Sequence, residues 1–474
     1  MGSWEKLLGK GSYGYVHKMI DNNNESCAVK ITYIEDTMDF GGSYREIDML
    51  TRLKHPFIIS LKDVVYKAPL DLPPKYNNVR EDNTEKQDSV YMIFESGDYD
   101  LEDGSLSTFS ESHKSIVQIL LALEYIHKFN HIHRDVKPAN LVYFEKTETC
   151  KLIDFGMCKP IFKNCRSNGR AITGVVRPPE LFCGNRDDYM VYGCETDVWS
   201  LGITWLYLFL KKEISTDKDD TNEEAIKNIY ELIPCDELSD EDFYNQHPYI
   251  NERPTWKSLL DDFYQESLVR ILKGMLNMNP KNRWSCTQVL NDHYFDEFRE
   301  LIEVTRNQTN SYIPNCLKSY TYHPSLSPER EIMLKECKPN KFITYRILFH
   351  AIEIIDRYLE WRSENNIPRP HFQTSIYRAR IIIYLCYKYF SIMVRCHTFE
   401  TIFDTVNLTN ALRKEMLEWE KILVRDVLKF QIYRVTPFEM AKDNKKLIQK
   451  YYQRYIKPES SEGWIILGCD ELAL

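Results

Sequence analysis

At 474 residues with 43% hydrophobic side chains, the chain is too long for one ordinary core and apolar enough to fill two or three. A formal net charge of −9 gives no electrostatic footprint for nucleic acid or an acidic membrane surface, and it suits basic substrates or partners. Thirteen scattered cysteines, an odd number without a Cys-x-x-Cys pair, exclude a secreted disulfide framework and fit free thiols in a reducing compartment.

The chain opens Met1-Gly2, but Lys6 stands where an N-myristoylation signal needs Ser or Thr, and there is no charged-then-apolar leader. Strand-like alternation flanks Leu8-Gly9-Lys10-Gly11-Ser12-Tyr13-Gly14-Tyr15-Val16, a Gly-x-Gly-x-x-Gly turn of the kind that lets backbone approach phosphates. Alone it is shared by flexible hairpins and dinucleotide folds. Sixteen residues beyond Gly14 comes Ala28-Val29-Lys30, a strand-borne point charge. Tyr44 to Leu50 reads as an amphipathic helix carrying Glu46, and Gly41-Gly42 soften its start. The polar, Pro- and Asn-rich stretch from Tyr66 to Asp88 reads as an inserted surface loop, and Val90 to Gly97 as a buried strand running into a polar turn.

His133-Arg134-Asp135-Val136-Lys137-Pro138-Ala139-Asn140 follows, with Asp154-Phe155-Gly156 fourteen residues after its Asn. Phosphoryl transfer passes through a loose transition state, so the protein must supply positioned charge and an oriented nucleophile more than covalent chemistry. These two motifs carry a carboxylate to orient a hydroxyl, a lysine for a phosphate, and hard oxygen ligands for a divalent cation. In that order and spacing they resemble the catalytic loop and metal-binding signatures of protein kinases.

The resemblance implies an α+β bilobal protein kinase fold, with an antiparallel sheet plus helix in the N-lobe and a helical C-lobe. It implies ATP and magnesium as cofactors, Asp135 and Lys137 at the reacting group, Lys30 on the α- and β-phosphates with Glu46 holding it, and Asn140 with Asp154 on the metal. Phe94 would guard the adenine pocket, and the backbone at Glu95 and Gly97 would bond the base. The Arg45-Glu46 helix is similar to the cyclin-facing helix of cyclin-dependent kinases, although Phe40-Gly41-Gly42-Ser43 departs from that family's residues. In the activation segment Thr173 falls where Ser/Thr-specific kinases place a threonine beside the catalytic Asp. Arg177 matches the arginine that supports a strained backbone near Ile172 and so favours Ser-Pro or Thr-Pro substrates. The family's activating threonine is replaced by Ser167-Asn168-Gly169, while Arg45, Arg134 and Lys159 match the cluster that grips a loop phosphate. Ser12 and Tyr13 match sites of inhibitory phosphorylation. By the same likeness Glu180 pairs with Arg283, and Asp197, at the head of an apolar helix whose run Leu201 to Leu210 is about half a membrane span, bonds the catalytic-loop backbone. Lys211 to Asp242 is an acidic, Asn-rich, insert-like surface region with some helical periodicity, and the resemblance ends near residue 298.

Residues 299–328 lack clear periodicity and read as a linker. Phe342 to Trp361, Ile376 to Met393 and Ala411 to Phe430 then carry apolar residues at helical spacing, which a generic bundle would also show. Asp356-Arg357-Tyr358-Leu359, Leu385 to Phe390 and Phe430 followed by Thr436-Pro437 resemble, in order, parts of a cyclin box. That likeness implies an all-α cyclin-like domain over 329–440 with a helical tail at 441–474. Lys388 would face the kinase with Glu418 or Glu420, and Arg330 would pair with Asp356.

The expectation is therefore a soluble, intracellular, magnesium- and ATP-dependent serine/threonine kinase of the cyclin-dependent type over residues 1–298, acting in the cytoplasm or nucleus on cell-cycle targets, with no nucleic-acid or membrane partner. Its tethered cyclin-like domain would dock on the Glu46 helix at an effective concentration reaching the millimolar range. Two other readings stand beside it: an adaptor that brings substrates or transcription machinery to the kinase, and a non-catalytic decoy that binds host regulators. Abundant Asn, Ile, Lys and Tyr suit an AT-rich genome, and the fusion points to a large DNA virus.

Overall fold

The computed structural model describes residues 3–429 apart from 12–13, 22–23, 34–39, 68–88, 104–108, 162–165, 168–175, 183–189, 192, 211–221, 311–327, 340–342, 369, 391–398 and 404–408. The chain divides into two compact units. One comprises Met1–Leu53, Ser60–Glu95 and Ile313–Leu474, the other Lys54–Ile59 and Ser96–Tyr312.

The first unit begins with an antiparallel sheet of β1 (Ser3–Gly11), β2 (Gly14–Ile20), β3 (Ser26–Tyr33), β4 (Leu61–Lys67) and β5 (Ser89–Glu95), in the order β1-β2-β3-β5-β4. The period-2 rule of strands explains β3: Val29 and Ile31 join Tyr91 in one apolar cluster, with Met19, Val65 and Ile93 packed on it. Lys30, between them in sequence, points to the opposite face, directly across from Met92 in the ladder. Helix α1 (Phe40–Arg52) is tied to the sheet where Ser43 donates to Thr32 Oγ1 at 3.2 Å. Every residue from Ser43 to Leu50 is buried. A helix buried all round needs cover on two sides.

The second unit is mainly helical. Its central helix α2 (Phe109–Lys128) is buried on nearly every face from Ile116 to Ile126, as a helix at the middle of a core must be. Short strands β6 (Tyr99–Asp100), β8 (Leu141–Phe144) and β9 (Thr149–Leu152) form one small sheet, and β7 (His131–Ile132) pairs with β10 (Lys159–Pro160). β11 (Arg166–Ser167) pairs with β12 (Met190–Val191). Seven helices follow: α3 (Glu195–Leu210), α4 (Asn222–Leu232), α5 (Asp240–Gln246), α6 (Trp256–Leu260), α7 (Glu266–Met275), α8 (Cys286–Leu290) and α9 (Arg299–Asn310).

The acidic insert-like run holds α4, in line with its helical periodicity, and Cys235, Phe243 and Ile250 close a small cluster of their own beside it. One element revises the reading from sequence. The first part of the expected linker is helix α9. Its apolar stripe is thin, with Ile302, Thr305 and Thr309 buried at helical spacing, and two of the three are threonines, so little periodicity shows in the sequence. Arg306 fixes the helix to α2 through two bonds to Glu124, at 2.8 and 2.9 Å.

The first unit resumes with α10 (Pro328–Leu334), α11 (Tyr345–Glu364), α12 (Phe372–Phe390), α13 (Phe399–Phe403) and α14 (Asn410–Ile422), the last running into a π-helical turn at Leu423–Val427. Thr344 and Thr409 cap α11 and α14 by accepting from Ile347 and Leu412 N–H. Leu348, Ile352, Ile355 and Leu359 give α11 its buried stripe, and Ile382, Leu385 and Cys386 are buried on α12, which packs against it. Arg330 donates to Asp356 at 2.6 and 3.2 Å, the pairing expected from sequence. Phe430, Thr436, Pro437 and the 441–474 tail lie outside the described residues. Among the described residues no helix is long and apolar enough to cross a membrane.

Candidate active site

In the first unit, Lys30 Nζ lies 2.6 Å from Glu46 Oε2, with both side chains nearly buried. Strand β3 fixes the lysine and α1 the glutamate, so the pair exists only while α1 is held against the sheet. The glycine-rich turn is the β1–β2 hairpin, with Gly9 opposite Val16, Lys10 opposite Tyr15 and Gly11 opposite Gly14. A Cβ on Gly14 would fall 1.9 Å from the Ile31 carbonyl oxygen, so only glycine lets the hairpin lie this close to β3. Leu8 is exposed on β1. Ser12 and Tyr13 lie outside the described residues. Phe94 is buried at the end of β5 between Ala28 and Leu61, and the Glu95 carboxylate accepts from Ser60 N–H at 2.8 Å.

The outer face of α1 is covered by the chain's own C-terminal helices. Tyr44 Oη donates to Glu420 Oε1 at 2.9 Å, and Lys388 Nζ lies 2.5 Å from the same oxygen. Arg45 Nη1 donates to the carbonyls of Lys388 and Tyr389 at 3.2 Å each, satisfying the last-turn acceptors of α12. Tyr389 Oη donates to Asp48 Oδ2 at 2.5 Å, and Arg52 also pairs with Asp48. Lys388 is fully buried, with the rings of Tyr44 and Tyr384 5.5 and 5.0 Å from its ammonium. Of the two glutamates left open by the sequence, Glu420 meets Lys388, whereas the half-exposed Glu418 bonds Lys421 at 2.8 Å. The reading from sequence missed Tyr44, Asp48 and Tyr389. The available signal was a tyrosine and an aspartate one turn apart on α1.

In the second unit, the catalytic-loop candidates are held by Asp197. Its two oxygens accept from Arg134 N–H and His133 N–H at 2.8 Å each, as expected, and from His127 Nε2–H at 2.9 Å. Arg134 has a φ of 69°, a left-handed conformation that an arginine rarely adopts, and the Asp197 bonds hold it there. Burial pushes the His133 pKa down, so the ring is neutral: Nε2–H donates to Ile153 O at 3.0 Å and Nδ1 accepts from Asp135 N–H at 3.3 Å. Burial raises the Cys286 thiol far above its ordinary range, so its S–H faces His127 Nδ1, 3.7 Å away, as a donor.

This frame brings Asp135, Lys137 and Asn140 together. Lys137 Nζ lies 2.9 Å from Asp135 Oδ2, and Asn140 Nδ2 donates to the same carboxylate and to Asp135 O, both at 2.7 Å. Asn140 thereby turns its amide oxygen away from Asp135. Asp154, at φ 59° and ψ 74°, opens the turn containing the fully buried Phe155 and accepts from Gly156 N–H at 3.4 Å. The Asn140 amide oxygen and the Asp154 carboxylate are hard donors suited to magnesium rather than to a softer metal.

Among the remaining candidates, Gly97 lies so close to β8 that an added Cβ would sit 2.1 Å from Val142 Cγ1. Arg134 Nε donates to Met157 O at 2.6 Å, and Lys159 is buried on β10. Ser167 lies on β11, and Thr173 with Ile172 falls outside the described residues. Arg177 stacks over the Phe182 ring at 4.8 Å. Glu180 and Arg283 form the expected ion pair, two parallel bonds of 2.9 and 3.0 Å.

Residues 3–295 match the protein kinase domain family. The chain is 28% identical over 343 residues to Mitogen-activated protein kinase 3 of Arabidopsis thaliana, covering 69% of this chain and 85% of that one. It is 28% identical over 315 residues to Cyclin-dependent kinase-like 4 of Mus musculus, covering 63% and 85%. With Cyclin-dependent kinase C-3 of Oryza sativa subsp. japonica it shares 30% over 306 residues, covering 61% and 90%.

Proposed function

The chain belongs to the protein kinase family, as a serine/threonine kinase of the mitogen-activated and cyclin-dependent type, and from that premise we propose a proline-directed enzyme switched on by its own cyclin-like C-terminal helices. Membership implies protein substrates, ATP as phosphoryl donor and magnesium. Bound magnesium neutralises charge on the phosphates. Asn140 and Asp154 are the residues to hold it.

Asp135 orients the acceptor hydroxyl and takes up its proton, with its own carboxylate steered by Asn140 and Lys137. Lys137 also offers positive charge to the transferring group, and Lys30, held by Glu46, does so for the α- and β-phosphates. Thr173 would stand beside Asp135 as in Ser/Thr-specific kinases, and Arg177 would set the preference for hydroxyls followed by proline.

The observation that carries the self-activation reading is the Lys30–Glu46 pair on a helix whose outer face is buried by α12 and α14 through Tyr44, Arg45 and Asp48. Without that cover α1 would expose Tyr44, Arg45, Asp48 and Arg52 and lose the packing that holds Glu46 inward.

The test is phosphate transfer from ATP to a Ser-Pro peptide by the full-length chain with no added activator, beside Asp135→Asn and a chain ending at residue 312. Activity confined to the full-length wild type supports the proposal. Equal activity in the shorter chain would turn the helices into an adaptor, and inactivity throughout would favour a decoy.

A further inference from the structure

Two phenol–carboxylate pairs are buried at the α1 junction. Tyr44, Asp48, Tyr389 and Glu420 are each at most 2% exposed, yet each makes a cross-junction bond: Tyr44 to Glu420, and Tyr389 to Asp48. A well-packed apolar contact would serve stability as well or better, since buried polar pairs roughly offset their own desolvation. What such pairs do supply is discrimination, because a partner lacking the complement strands a buried group. A helix offering phenylalanine where Tyr389 stands, and an apolar side chain where Glu420 stands, would strip both bonds from α1.

We infer that Tyr44 and Asp48 with Tyr389 and Glu420 form a recognition code that fits α1 to this chain's own α12 and α14 and rejects helical activators with an apolar face. The two pairs are built alike: each joins a phenol to a buried carboxylate that keeps a second partner, Arg52 on Asp48 and Lys388 on Glu420, if the phenol is lost. Only the activity arm of the following test rests on the kinase reading above.

Five full-length proteins decide it: wild type, Tyr389→Phe, Asp48→Leu, those two substitutions together, and Tyr44→Phe. Amide hydrogen exchange of α1 is the main readout, with peptide phosphorylation beside it. Tyr389→Phe should raise local opening of α1 about tenfold, the size of losing one hydrogen bond to a charged group. Asp48→Leu should raise it more. Adding Tyr389→Phe to Asp48→Leu should lower the opening below that of Asp48→Leu alone, because the phenol is no longer stranded while Arg52 has lost Asp48 in both proteins, and that reversal of sign is what two independent contributions would not produce. Tyr44→Phe, a milder change, should raise opening by a few-fold. Additive effects in exchange, or silence in both Tyr→Phe variants, would overturn the code whatever the activity shows. Rescue in exchange without phosphorylation by any of the five would leave the code standing and count against the kinase proposal.

Discussion

Lys388→Met removes the one ammonium buried against Glu420 and keeps most of the side chain's volume. The pair is 2.5 Å apart with side chains 0% and 3% exposed, and breaking a buried pair costs about 3–5 kcal/mol because the remaining charge is stranded. Two local features favour the lower end. Tyr44 still donates to Glu420, and the methionine stem can pack between the Tyr44 and Tyr384 rings. About 3 kcal/mol corresponds to roughly a hundredfold shift in the equilibrium that seats α12 on α1. The assay pairs turnover of a Ser-Pro peptide with hydrogen exchange of α1. We expect kcat to fall at least tenfold with little change in KM for the peptide, and α1 exchange to rise in parallel. Adding Glu420→Gln should recover part of the loss, since a neutral amide can stay buried and still accept from Tyr44. Unchanged turnover together with unchanged exchange in Lys388→Met would refute the reasoning.

Glu180→Ala should destabilise the second unit by about 3 kcal/mol or more, because the fully buried Arg283 side chain loses a two-bond carboxylate partner; chemical denaturation followed by tryptophan fluorescence checks it. Gly14→Ala should weaken nucleotide binding at least tenfold, read as the ATP-induced thermal shift, since the added Cβ meets a backbone oxygen that cannot rotate away. Burial pushes the Asp356 carboxyl up to about 6 despite Arg330. Between its ordinary value of about 3.9 and 6 the folded state keeps a proton that the unfolded state releases. Its contribution to stability therefore falls as pH rises through that window, by up to about 1.4 kcal/mol per pH unit, and stays level above it. Asp356→Asn should be less stable overall but lack that slope, so the difference in unfolding midpoint between the two proteins from pH 4 to 7 measures it.

The legible parts of the site were those whose partners are near in sequence or fixed by a motif. Asp135, Lys137 and Asn140 lie within one turn-rich octet, and Lys30 and Glu46 are separated only by the β3–α1 connection. The illegible parts depend on contacts made across most of the chain. Tyr44 meets Glu420, and Asp48 meets Tyr389, with no local pattern to register the pairing. The choice between Glu418 and Glu420 turned on helical phase, since residues two apart on a helix face nearly opposite ways. Helix α9 hid behind threonines doing the work of aliphatic residues, and its anchor, Arg306 on Glu124, joins positions far apart in the chain. Asp197 at the head of α3 was foreseen, but the His127 and Cys286 side chains behind it were not, because neither residue stands out in its own segment.

The first unit joins the two ends of the chain, which gives it an order of assembly. Ribosomes add about 5–20 residues per second, so α12 leaves the ribosome roughly 20–70 s after α1. The intervening second unit is contiguous apart from Lys54–Ile59 and has its own core, so it can form while α1 waits with one side uncovered. An apolar face left open that long invites aggregation. A face built from Tyr44, Arg45, Asp48 and Arg52 can be hydrated in the meantime, and Asp48 and Arg52, one turn apart, can already pair with each other before the last helices arrive.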